Sequence, residues 1–87
     1  MANLSVGNGY VLSIVPEMNQ KTHKGLVEVA LLSGNNFVNT EVWLHKDKDL
    51  SYYDDVERFV NAKGLINVIQ KAMEYSNRNP WMRKEND

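Results

Sequence analysis

The sequence predicts an α+β protein, a three- to four-stranded antiparallel sheet with two C-terminal helices packed on one face. Three observations carry this reading. The run Tyr10-Val11-Leu12-Ser13-Ile14-Val15 is rich in β-branched and aromatic residues. Leu26 to Leu32 and Phe37 to Leu44 form two arms around Ser33-Gly34-Asn35-Asn36, whose residue types suit a turn. Beyond residue 50 the apolar spacing changes from two to three and four, the period of a helix.

Residues 1–9 are small and polar and read as a flexible lead-in. The strand from Tyr10 is apolar on both faces, which suits a central position, and Pro16 ends it because it cannot donate to a ladder. A polar connection runs from Pro16 to Gly25. In the hairpin, pairing Leu32 with Phe37 fixes the remaining register. Leu31 then faces Val38, Val29 faces Thr40 and Val27 faces Val42, giving one apolar side expected to meet the helices. The other side sets Ala30 against Asn39, Glu28 against Glu41 and Leu26 against Trp43, and is expected to face solvent.

His45 to Asp49 reads as a solvated loop. Ser51 is a candidate helix cap, with Asp54 and Asp55 suiting the positive end of the dipole. Tyr52, Val56, Phe59 and Val60 then share a helical face and Gly64 is a plausible terminator. The alternative makes residues 56–60 a fourth strand; the mixed parity of Val56, Phe59 and Val60 favours the helix. A second stripe, Leu65, Ile66, Ile69, Ala72 and Met73, marks a helix that Asn79-Pro80 stops. Residues 1–79 are expected to form one domain and 80–87 a tail, with Trp81 either docked back on the helices or free as an anchor.

Composition narrows the function. Eighty-seven residues support one thin core, burying roughly 60–65% of the unfolded chain's surface. There is no cysteine, which removes disulfides, thiolate zinc sites and cysteine nucleophiles. A net charge of −1 lacks the basic excess of most nucleic-acid binders. The N-terminus has no secretory pattern and no run approaches the roughly 20 apolar residues of a membrane helix, so a cytoplasmic protein without a membrane partner is expected.

Catalytic patterns are equally sparse. His45, Asp47, Asp49, Asp54, Asp55 and His23 alternate with lysines and match no ligand spacing, so neither a metal nor another cofactor is expected. No nucleophile elbow accompanies the two histidines, and Gly7-Asn8-Gly9 lacks the strand and helix that frame a phosphate loop. The opposed Glu28 and Glu41 are different. Like charges facing each other in a sheet cost roughly 0.2–1 kcal/mol, and with aromatic neighbours they resemble an interface. The expected partner-binding face is Leu26, Glu28, Phe37, Glu41 and Trp43. A second reading uses Lys21, Lys24, Lys46 and Lys48, with exposed Trp43 and Tyr10, to hold single-stranded nucleic acid.

The segment Asp55-Val56-Glu57-Arg58-Phe59, then Gly64-Leu65, then Ala72-Met73-Glu74-Tyr75-Ser76-Asn77-Arg78-Asn79-Pro80, resembles in layout the closing helices of a family of small phage-encoded anti-CRISPR proteins that inhibit type I-F surveillance complexes. The resemblance covers about the last 30 residues and extends to no binding residue. It implies a non-enzymatic inhibitor that binds a protein or ribonucleoprotein complex through its sheet. Self-association through a strand edge or the Phe37–Trp43 face is an alternative use of the same surface.

Overall fold

A computed structural model describes residues 2–45 and 55–79. The fold is α+β, as expected, and the described residues form five strands and two helices of unequal length. Strand β1 (Ala2–Gly7) pairs with β2 (Tyr10–Pro16), which pairs with β3 (Val27–Ser33), and every pairing in the sheet is antiparallel. Residues 2–9 are therefore a strand and its turn, not a lead-in. Gly7 faces Tyr10 across Asn8-Gly9, and the three residues Gly7, Asn8 and Gly9 have φ of 95°, 55° and 88°. Positive φ at both central residues matches the right-handed twist of a hairpin, and Asn-Gly supplies it at little cost.

The hairpin after β3 begins as the sequence indicates. Leu32 faces Phe37 and Leu31 faces Val38 in β4 (Asn36–Val38). It then departs. Asn39 accepts a hydrogen bond from the Glu41 N–H at 2.9 Å and caps the short helix α1 (Thr40–Trp43). That local bond competes with the ladder at the residue expected to face Ala30. The chain later returns as β5 (Val56–Val60) and takes over the vacated edge, so that Val29 faces Glu57 and Val27 faces Val60. β4 and β5 thus share one edge of β3 end to end.

Residues 56–60 are accordingly a strand, and the helical reading of that segment is corrected. The pattern was obscured by a bulge, in which Arg58 and Phe59 together oppose Glu28. The expected terminator Gly64 instead lies in the first turn of α2 (Ala62–Arg78), where its N–H donates to the Asn61 cap at 2.7 Å. A Cβ there would stand 3.2 Å from the cap oxygen and 3.4 Å from Val60, so the absence of a side chain permits the close approach. The Ser51 cap, Tyr52, Lys46, Lys48 and Trp81 lie outside the described residues.

The core forms between α2 and one sheet face. Val6, Tyr10, Leu12, Val29, Leu31 and Val60 from strands meet Val68 and Ala72 from α2, with Trp43 and Leu44 closing the side. Each valine or leucine among them contributes about 1.5–3 kcal/mol when fully buried. The expected inward strip holds for Val27, Val29, Leu31 and Val38, but Val42 is exposed on α1. Ile66 and Met73 also point outward; Val68, Ala72 and Ser76 centre the buried stripe of α2. Ser76 ties the helix to the first hairpin, donating to Val6 O at 2.9 Å and Gly7 O at 3.0 Å. The Tyr10 hydroxyl donates to Asn79 O, and burial followed by the neighbouring Tyr75 raises its pKa above the ordinary phenol value. Among the described residues no helix is long and apolar enough to cross a membrane.

Candidate functional site

The opposite sheet face is built from cross-strand rows. Val11, Leu32 and Phe37 form one row; Ser13, Ala30 and Val56 form the next; Val15 and Glu28 form the third, beside the bulge at Arg58. Alternation along each strand puts these residues on the side away from α2. Val11, Val15, Leu32 and Val56 are half-buried, and Phe37 is 53% exposed at the end of its row. A hollow of about 170 Å³ opens on this face, with Ser13, Val15, Glu28, Ala30, Phe37 and Val56 in its walls.

The structure keeps part of the partner-binding face anticipated from sequence and dismantles the rest. Glu28 and Phe37 share this surface, and Leu26 sits half-buried at the entry to β3. Glu41 is in the first turn of α1, so the opposed pair of glutamates does not exist. Trp43 is 2% exposed and belongs to the core. One helical turn explains both changes: residues three apart share a face, and Thr40 and Trp43 turn inward together while Val42 turns out. Burial of Trp43 and Tyr10 also removes the two aromatics proposed to stack on nucleic-acid bases. Lys21 and Lys24 are exposed in the connection between β2 and β3.

That connection is held by a group the sequence reading passed over. Glu17 is 2% exposed and its carboxylate accepts from Arg58 Nη2 at 2.9 Å, from Arg58 Nε at 3.4 Å and from the Phe59 N–H at 3.1 Å. The Arg58 hydrogen bond foremost, with help from the Phe59 and Met18 amides and from the arginine charge, outweighs burial and holds the carboxyl below its ordinary value of 4.5. Arg58 also stands 3.7 Å from Glu28, linking this staple to the open face. Phe59 has φ of 59°, an uncommon conformation for a bulky residue, and is 51% exposed. The His23 ring lies 4.9 Å from its centroid and the Arg58 guanidinium 5.1 Å from it. The bulge thus presents a fixed aromatic at the end of the sheet.

His45 and Glu57 form a second unforeseen pair, Nε2 to Oε1 at 2.8 Å, beside a cleft of about 220 Å³ that reaches Asn61 and Asn67. It exists because β5 places Glu57 opposite Val29 on the side where α1 ends. Among the described residues no group of three or more potential metal ligands comes together. Among the described residues, the side-chain hydrogen-bond partner of His45 is Glu57 and that of His23 is the Thr22 hydroxyl.

No protein-family model, no curated protein and no solved structure matches the chain.

Proposed function

We propose that this chain is a non-enzymatic binding factor that docks an apolar patch of a partner protein on the open sheet face. The observation that carries the reading is the exposure of Phe37 at the head of the Val11–Leu32–Phe37 row, on the face that α2 leaves uncovered. An apolar centre with polar residues at its margin is the anatomy of a protein interface. Glu28, in the last row beside Arg58, lies on that margin. Among the described residues, the charged groups at this face are Glu28 and Arg58, 3.7 Å apart, with Glu17 on the same arginine; this cluster has no basic excess and suits a protein surface better than a phosphate backbone. The resemblance over Gly64 to Asn79, the part of that segment built on a helix and its cap, makes an inhibitor of a host defence complex, phage-encoded and acting stoichiometrically, the first form of this function to test.

The test is quantitative recovery of bound proteins from the source cell with three chains: unchanged, Phe37→Asp and Glu41→Lys. A charge in place of the exposed Phe37 ring is expected to lower recovery of the true partner about tenfold or more, whereas Glu41→Lys leaves it intact and both variants melt as the parent does. Equal recovery by Phe37→Asp overturns the assignment of the face. Activity at amounts far below those of the partner overturns the non-enzymatic reading.

A further inference from the structure

On the other side of the molecule, α1 and the C-terminal half of α2 enclose a cleft of about 240 Å³ lined by Val42, Trp43, Lys71, Glu74, Tyr75, Arg78 and Asn79. Lys71, Glu74, Tyr75 and Arg78 follow the spacing of one helix face. Trp43 forms part of the wall, and its Nε1 is buried with no hydrogen-bond partner among the described residues. Buried indole N–H groups usually find an acceptor, so one without a partner, on a side chain that lines a cleft, is open to an acceptor that enters and displaces the atoms covering it. The two cations are uncommitted as well: neither Lys71 nor Arg78 forms an ion pair with a described residue, although Glu74 is three and four positions away.

A helix C-terminus ordinarily repels anions through its free carbonyls. Here two of them and the carbonyl of the capping residue accept hydrogen bonds. Tyr75 O accepts from the Asn79 N–H at 2.9 Å and from Asn79 Nδ2 at 3.1 Å; Ser76 O accepts from Asn8 Nδ2 at 2.8 Å; Asn79 O accepts from the Tyr10 hydroxyl. The positive side chains therefore dominate the cleft.

We infer that this cleft binds a small free carboxylate of the acidic amino acid class. One carboxylate oxygen accepts the Trp43 indole hydrogen, Lys71 and Arg78 supply the counter-charge, and Glu74 takes the ligand's ammonium. Two cations and one carboxylate in the cleft are the charge complement of two carboxylates and one ammonium in the ligand. This site is independent of the sheet face proposed above.

The experiment follows the Trp43 indole N–H resonance in isotope-labelled full-length protein. Trp81→Phe leaves Trp43 as the sole indole of the two in the chain. The probes are L-glutamate, glutarate and inorganic phosphate. The expected result is a saturable downfield movement with L-glutamate, weaker binding of glutarate, and little response to phosphate. Lys71→Gln with Arg78→Gln should weaken L-glutamate about tenfold or more while the remaining spectrum stays that of the parent. Glu74→Gln should narrow or reverse the preference for L-glutamate over glutarate. An indole resonance that L-glutamate does not move, a double variant that binds as well as the parent, or an equal response to phosphate overturns the inference.

Discussion

The carboxylate of Glu17 accepts the backbone N–H of Phe59 at 3.1 Å, joining residues 42 positions apart. With Arg58 beside it, this bond fastens the β2–β3 connection to the bulge of β5. Because the folded carboxyl is held below 4.5, the folded state binds fewer protons than the unfolded chain in that range. The stabilising contribution is full above the unfolded value and is lost as pH falls through the folded one. Urea midpoints measured from neutral pH to below 4 should fall with acidity, and Glu17→Gln should flatten part of that fall. A parallel slope in the variant would remove Glu17 as the source.

Phe59 sits at φ of 59°, where an L side chain with a branched Cβ is most strained. Phe59→Gly and Phe59→Asn should be nearly neutral, since relief of strain offsets the lost His23 and Arg58 contacts. Phe59→Val should cost about 1–2 kcal/mol more than Phe59→Gly. Chemical denaturation of the three variants gives the order directly, and a valine variant as stable as the glycine one contradicts the left-handed backbone there.

Much of the sheet is legible in the sequence, and the limit of that legibility has a local cause. Alternation in Val27 to Leu32 and the two-residue turn at Gly34-Asn35 are sufficient to register Leu32 on Phe37. The same alternation continues through Val38, Thr40 and Val42, so the pattern alone does not reveal that the strand stops. The available signal was Asn39 two residues before Glu41, a cap as well as a strand residue. Missing it moved Trp43 from the core to the surface and created an apposition of Glu28 and Glu41 that the fold does not contain. The Asn8-Gly9 turn was likewise readable as a hairpin signal. The strand at Val56–Val60 was not, because a bulge breaks period two. The Glu17 staple and the His45–Glu57 pair depend on contacts 41 and 12 residues apart in sequence, which no local pattern encodes.

Ser76 is the buried polar contact between α2 and the first hairpin. Ser76→Ala removes a hydroxyl that serves two carbonyls, and the expected loss is about 1–2 kcal/mol. Gly7→Ala should act on the same contact by a different route, since a Cβ at φ of 95° is strained and would lie 3.5 Å from the Ser76 Oγ. The two substitutions should be less than additive when combined, because both disturb one junction. Denaturant unfolding of the single and double variants measures this, and strict additivity would mean that the hairpin and helix are not coupled there.

Trp43 provides the sharpest check on where the chain leaves the sheet. In the core, Trp43→Ala should cost about 3–5 kcal/mol, a large share of the stability of a domain this small. Trp43→Phe should cost clearly less, because it retains most of the ring volume while deleting an indole N–H that has no partner. Glu41→Lys, one residue from the exposed Val42 and in the same helical turn, should stay within about 0.5 kcal/mol. The three variants separate the alternatives by their order in equilibrium unfolding. If Trp43→Ala unfolds at the same denaturant concentration as Glu41→Lys, residue 43 is a surface residue, the edge of β3 is occupied by residues 39–44 after all, and both the capped helix and the cleft beside it fall with that result.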